Sequence, residues 1–165
     1  MDNSTIFERY YNLSLRFLSY RPRSEKEIID YLKKKSSSVK TSEGQEKLIE
    51  SIIKKLKEYK FIDDVEFAKF WIEQRTKFKH KPIRVIEYEL KQKGINKDLI
   101  DEVLSSFESS KEVDLESAKK LAEKKLDFYR SLNPKKRQEK VMSYLLRRGF
   151  NYEVVKKALA GHFKG

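Results

Sequence analysis

The sequence contains no cysteine and few of the residues that interrupt helices. Without cysteine, its 165 residues can form neither disulfides nor thiolate metal sites, and the composition fits the reducing cytoplasm, where we expect the chain to be located. Only five glycines and three prolines are present. Because Phe, Tyr, Ile and Leu recur at helical spacing between these few breaks, the sequence predicts an all-α protein.

Long apolar runs and motifs for metals or phosphates are also missing. No run approaches the roughly 18 apolar residues that span a bilayer, and the first four residues show no secretory signal. The only histidines, His80 and His162, have no partner at metal-ligand spacing. Asp63 and Asp64 form an acidic pair, but their position at a predicted helix start favours capping over acid–base chemistry. We therefore expect no membrane partner, metal, cofactor or enzymatic activity.

One segment of the chain recurs 55 residues later without a gap. Its pattern of Ile86, Leu90, Gly94, Ile95, Asn96, Ile100, Val103 and Leu104 returns as Val141, Leu145, Gly149, Phe150, Asn151, Val155, Ala158 and Leu159. Glycine allows the left-handed conformation that ends a helix, and asparagine caps the next one. The pattern therefore predicts a helix–turn–helix unit that is used twice.

A more diverged copy lies near the start of the chain. Ile28 and Leu32 match Ile86 and Leu90, and Ser24 with Glu27 predicts a capping box before this helix. The copy lacks the glycine joint and carries seven extra residues, which fall in 36–45, a Ser-rich stretch that we predict to be flexible.

Each copy is preceded by an amphipathic segment that predicts a leading helix. These helices should run from about Thr5 to Ser19, from about Asp64 to Phe78 and from about Asp114 to Phe128. The sequence therefore predicts three tandem three-helix repeats, 1–63, 64–110 and 111–165, in an elongated arrangement.

The net charge of +12 favours a polyanionic partner, above all nucleic acid or a nucleoprotein. The excess is uneven, because the three predicted repeats carry net charges of +4, zero and +8. Binding to DNA should be independent of sequence and should weaken steeply with salt. We expect the third repeat to bind most tightly and the first most weakly.

Two basic clusters at equivalent points of the second and third repeats are the candidate contacts. The first contains Arg75, Lys77, Lys79, Lys81, Arg84, Lys91 and Lys93. The second contains Lys124, Lys125, Arg130, Lys135, Lys136, Arg137, Arg147 and Arg148. The alternative is that both are solvated helix faces. The rings, including Phe67, Trp71 and Phe107, fall mostly on apolar stripes, which favours the core over base stacking.

Four segments together resemble the RecX regulatory proteins of bacteria. They are Arg21-Pro22-Arg23-Ser24 with Glu27, Ile28 and Leu32; Phe61-Ile62-Asp63-Asp64 with Phe67, Ala68, Trp71 and Arg75; Leu90-Lys91-Gln92-Lys93-Gly94-Ile95; and Leu145-Leu146-Arg147-Arg148-Gly149-Phe150. The resemblance implies three tandem three-helix units in an extended, curved molecule.

The same resemblance implies a non-catalytic regulator of the recombinase RecA, and we expect the chain to be a monomer. Such a regulator, usually an inhibitor, binds in the groove of the RecA–DNA filament and reduces filament growth, ATPase activity and strand exchange. The basic positions of the repeats resemble contacts to the nucleoprotein. The alternative from the residues alone is a free-standing helical module that binds nucleic acid without a recombinase partner.

Overall fold

A computed structural model describes residues 3–37, 41–107 and 109–162. Within these ranges the chain forms nine α-helices and no strand, which confirms the all-α prediction. They are α1 (Asn3–Ser19), α2 (Glu25–Lys35), α3 (Ser42–Glu58), α4 (Asp64–Glu73), α5 (Ile83–Gln92), α6 (Lys97–Ser105), α7 (Ser110–Phe128), α8 (Pro134–Arg147) and α9 (Tyr152–Leu159). The helices follow the predicted grouping in threes.

The two predicted glycine joints are present. Gly94 and Gly149 follow α5 and α8 with φ of +83° and +98°, in the left-handed region that glycine adopts without strain. After α8, the amides of Gly149 and Phe150 donate to the carbonyls of Leu146 and Leu145, at 3.0 and 3.2 Å. These two bonds form a Schellman motif, which satisfies carbonyls that the helix end leaves free.

Two helix starts use the capping residues that the sequence predicts, and a third start uses Asn133. Ser24 and Glu27 form the predicted capping box on α2. Asn133 precedes Pro134, the first residue of α8, and accepts a bond from an amide of its first turn. Asn151 caps α9 in the same way. These local signals fix the starts of α2, α8 and α9.

Two leading helices differ from their predicted extents. The second is α-helical only to Glu73, and a π-helical turn, Gln74–Phe78, continues it. The third begins at Ser110, four residues before the predicted start at Asp114. Asp114 does not cap its own helix, because its carboxylate instead accepts a bond from the amide of Ile83, the first residue of α5. The sequence pattern could not reveal this distant partner.

The prediction of a flexible stretch from Ser36 to Gln45 is wrong for most of its residues. Ser36 is fully buried and its hydroxyl bonds to Leu32 and Gln45. Thr41 caps α3, and residues 42–45 form its first turn. Residues 38–40 lie outside the described ranges. Serine and threonine therefore serve here as a buried link and a helix cap.

The chain divides into two compact units, each with a core of its own. One contains the described residues of Met1–Phe70 together with Lys91–Asn96, and the other contains Trp71–Leu90 with those of Lys97–Gly165. The core of the first unit joins α1, α2 and α3, and includes Tyr10, Ile28, Leu32, Ile52 and Leu56. A core in the second unit joins α7, α8 and α9, and includes Ala118, Val141, Leu145, Phe150 and Val155.

The aromatic side chains divide between core and surface. Phe67 and Trp71 are buried, as predicted, whereas Phe107 is 37% exposed, so its predicted place in the core is wrong. Phe107 follows the end of α6, and the apolar stripe of that helix does not continue to it.

None of the helices in the described ranges is both long enough and apolar enough to cross a membrane.

Candidate nucleic-acid interface

In the first compact unit, the end of α5 packs against the start of α2. The Ser24 hydroxyl donates to the Lys93 carbonyl at 2.7 Å, and the Lys93 ammonium pairs with the Glu27 carboxylate at 2.6 Å. Glu27 also binds Arg21 through two hydrogen bonds, at 2.7 and 3.2 Å, and lies 3.9 Å from Arg23. We call the contacts of Lys93 and Gly94 with α2 the first junction.

The electrostatics of the first junction centre on Glu27. Its side chain is only 16% exposed. Burial by itself would raise the pKa of this carboxyl group, but the hydrogen bonds from Arg21 and Lys93 outweigh burial and lower the pKa to about 2. Lys26 also has a carboxylate partner, because it pairs with Asp30 at 2.7 Å. The cations nearest this junction are therefore neutralised by the protein itself.

In the second compact unit, the end of α8 packs against the segment that starts α5. The Arg148 guanidinium donates to the Lys79 carbonyl at 2.9 Å. A Cβ added to Gly149 would lie 2.8 Å from Val85 and 3.7 Å from the Arg84 guanidinium. We call the contacts of Arg148 and Gly149 with residues 79–85 the second junction.

The two junctions share a glycine contact and an aspartate contact. A Cβ added to Gly94 would lie 2.6 Å from Lys26, and a Cβ added to Gly149 would lie 2.8 Å from Val85, so neither position has room for a side chain. Asp64 accepts a bond from the first amide of α2 at 2.8 Å, and Asp114 accepts one from the first amide of α5 at the same distance. Burial is the main cause that raises the pKa of both aspartates.

The junctions differ in their carboxylates. The offset of 55 residues aligns Lys93 with Arg148. The offset of 58 residues that matches Ile28 with Ile86 aligns Glu27 with Val85, so the partner of the first cation is replaced by an aliphatic side chain. It also aligns Asp30 with Tyr88. Among the described residues, neither Arg84 nor Arg148 has a carboxylate within 4 Å, although Asp114 still acts on Arg84 at longer range. The second junction therefore exposes cations that the first one neutralises.

Two other predicted contact residues are held by one carboxylate of the second unit. Glu89 binds the Arg75 guanidinium at 2.8 Å and also pairs with Lys81. The Trp71 indole donates to the same carboxylate at 3.0 Å, and Arg75 stacks on the Trp71 ring at 3.9 Å. Burial would raise the pKa of Glu89, but Lys81 and Arg75 outweigh it and lower the pKa. Arg75 and Lys81 thus have a structural role that the sequence did not indicate.

The remaining predicted residues fall into four groups. Lys77 and Arg130 form exposed ion pairs with Glu73 and Asp127, pairs that contribute little stability. Lys125 lies over the rings of Phe128 and Tyr144. Within the described ranges, no carboxylate lies within 4 Å of Lys79, Arg84, Lys91, Lys124, Lys135, Lys136, Arg147 or Arg148. Arg137 is half-buried on α8.

The helix α8 presents an exposed basic row. Lys136, Lys140 and Arg147 are all exposed and recur at intervals of four and seven residues, which places them on one face of the helix. Lys140 belongs to the same basic stretch of the sequence, and its interval of four from Lys136 places it in this row. In the part of the chain that the structure describes, no group of three acidic or histidine side chains could hold a metal ion.

Comparison with known proteins identifies three three-helix domains along the chain. Family models described as the first, second and third three-helix domains of RecX match residues 11–36, 63–104 and 112–159. A crystal structure of regulatory protein RecX is 31% identical, covers 97% of this chain and 80% of its own, and superposes with a TM-score of 0.73. The chain belongs to the RecX family.

Further RecX proteins agree with this assignment. The structure of RecX from Lactobacillus salivarius is 25% identical, has a TM-score of 0.73, and covers 96% of this chain and 97% of its own. Regulatory protein RecX of Bacillus licheniformis is 40% identical over 88% of this chain and 52% of its own length. That of Bacillus subtilis is 38% identical over 90% and 53%. The chain thus spans about half the length of these two relatives.

Proposed function

We propose that this chain regulates the recombinase RecA by binding in the groove of the RecA–DNA filament. Bound there, it limits filament growth, ATPase activity and strand exchange without any catalytic activity of its own. Membership in the RecX family, whose relatives are named regulatory proteins, supports this proposal. We propose that it acts as a monomer in the cytoplasm, where it meets both RecA and DNA.

The observation that carries the proposal is the set of cations without carboxylate partners in the second unit. Lys79, Arg84 and Arg148 lie at the second junction, and Lys136, Lys140 and Arg147 lie along α8. A cation that already pairs with a carboxylate must break that pair before it can bind a phosphate. These six can neutralise phosphates and release their counterions at no such cost.

The direct test measures RecA ATPase activity and filament length on single-stranded DNA. Added from substoichiometric to equal amounts, the chain should lower the ATPase rate and shorten the filaments. Neutralising the row on α8 as K136Q, K140Q and R147Q should weaken filament binding and lower its salt slope by up to about three, one for each lost phosphate contact.

A charge-matched variant is the control for that test. Lys47, Lys97 and Lys120 each pair with an acidic residue on an exposed helix face. The variant K47Q, K97Q and K120Q removes the same charge and should leave the salt slope close to that of the unchanged chain. No effect of the unchanged chain on ATPase activity, filament length or strand exchange would reject the proposed function.

The competing function is a module that binds nucleic acid without a recombinase partner. Salt-dependent binding to bare DNA cannot separate the two, because a net charge of +12 supports it in either case. A much higher affinity for RecA-coated than for bare single strands would favour the regulator. Equal affinities would favour the free-standing module.

A further inference from the structure

An exposed aromatic ring lies one helical turn after Arg84, a cation of the second junction. Tyr88 on α5 is 64% exposed, and among the described residues it has no hydrogen bond, ring contact or cation partner. Exposing a large ring on a helix forgoes the free energy that its burial would contribute. Such a ring next to a cation is available to stack on a ligand.

The neighbours of Tyr88 define the chemistry of that ligand. Arg84 precedes Tyr88 by one helical turn, so the two side chains share a face of α5 about 6 Å apart at their Cβ atoms. Arg84 is exposed, and its guanidinium borders the turn at Gly149. Arg148, the residue before Gly149, binds the Lys79 carbonyl and lies 6.0 Å from the Tyr144 ring. The surface thus combines guanidinium groups with a free aromatic face.

The first junction provides an internal comparison for this surface. There the residue aligned with Tyr88 is Asp30, and the residue aligned with Arg84 is Lys26, which pairs with it. An acidic side chain at this position would repel a phosphate backbone, whereas a tyrosine ring can stack on a base. The same position in the repeat is therefore suited to nucleic acid only at the second junction.

We propose that Arg84, Tyr88 and Arg148 form a binding site for single-stranded nucleic acid. The two arginines bind phosphates, and the Tyr88 ring stacks on an unpaired base. A duplex keeps its bases stacked on one another, so the ring selects single strands, while the arginines bind either form. This proposal deepens the proposed function by naming the strand that the chain contacts, but it is tested without RecA.

The test uses the full chain and a short oligonucleotide that contains 2-aminopurine, a base whose fluorescence falls when it stacks. The unchanged chain and Y88F should both quench the fluorescence, because both carry the ring. The Y88A variant should lose the quenching and bind the single strand about 5- to 100-fold more weakly, as expected for the loss of one stacked base. Its affinity for a duplex of the same length should stay unchanged.

The matched control is Y20A, since Tyr20 is a similarly exposed ring in the first unit. It should quench and bind like the unchanged chain. The site is rejected if Y88A keeps its quenching and affinity, or if it loses single-strand and duplex binding equally. It is also rejected if Y88A binds single strands normally but fails to bind RecA filaments, because Tyr88 would then contact protein. A lack of effect on RecA by the unchanged chain would reject only the proposed function.

Discussion

The first and second junctions are built on one plan but carry different charges. In each, a left-handed glycine lies against the start of the second helix of the preceding repeat, which is α2 at the first junction and α5 at the second. In each, an aspartate also accepts a hydrogen bond from the first amide of that helix. At the first junction Glu27 neutralises Lys93, whereas at the second Val85 leaves Arg148 without a carboxylate. The shared features support the fold, and the features that differ are available for binding.

The comparison also shows that the net charge of a repeat does not reveal which of its cations have carboxylate partners. The second repeat has a net charge of zero, but it contributes Lys79 and Arg84 to an exposed basic surface. Lys93 belongs to the same predicted cluster, but it is bound by Glu27. Which cations are left to bind a phosphate depends on where the fold places the carboxylates.

The largest expected effect concerns what the two junctions share. Changing Gly94 or Gly149 to alanine forces a side chain into the left-handed region and places its Cβ within 3 Å of Lys26 or Val85. We expect each variant to lose about 3 kcal/mol of unfolding free energy, from backbone strain and overpacking together. Chemical denaturation measures both losses, and a loss below about 1 kcal/mol in either variant would show that its junction does not need the glycine.

The next effect should appear only at the first junction. E27Q leaves Arg21 and Lys93 without their carboxylate, which should cost about 2 kcal/mol at neutral pH. Since the folded state lowers the pKa of Glu27 from its usual 4.5 to about 2, its stabilisation is complete above pH 4.5 and is lost as the pH falls toward 2. The stability difference between the unchanged chain and E27Q should therefore shrink over that interval.

Denaturation at several pH values checks this expectation. V85Q at the aligned position of the second junction is the control, and its stability difference should not vary with pH over the same interval. A constant difference for E27Q would mean that its carboxylate is not held ionised by the junction.

The smallest effect should again be equal at the two junctions. D64A and D114A each remove the acceptor for the first amide of a neighbouring helix, which should cost about 1 kcal/mol, as for the loss of a helix cap. Thermal unfolding of the two variants measures these losses. Losses that differ by more than about 1 kcal/mol would show that the aspartates do not have equivalent roles.

The parts of this structure that could be predicted are those with local signals. Gly94 marks a helix end within a few residues, and Asn151 and the pair Ser24 and Glu27 mark helix starts, so the repeats and joints follow from the sequence. The ion pairs do not, because Lys93 lies 66 residues from Glu27 and Arg75 lies 14 from Glu89. Asp114 was predicted to start its own helix, but its partner is 31 residues away.

The candidate site was predictable only as a collection of basic residues. Its division into neutralised and free cations depends on long-range pairs, and the exposure of Tyr88 depends on which face of α5 the fold leaves open. The repeat nevertheless contains a usable signal, since aligning the copies sets Asp30 against Tyr88 and Glu27 against Val85. Positions where the copies differ in charge are those where we expect the junctions to differ in binding.

The most direct test of this account transfers the carboxylate of the first junction to the second. V85E places a glutamate at the position of Glu27, where it can pair with Arg148, and S51E adds the same charge to an exposed part of α3 as the control. Binding to RecA–DNA filaments should be measured over a range of salt concentrations. We predict that V85E binds more weakly with a salt slope lower by about one to two, while S51E keeps the slope of the unchanged chain. Equal slopes for V85E and S51E would contradict the claim that the free cations of the second junction bind the filament.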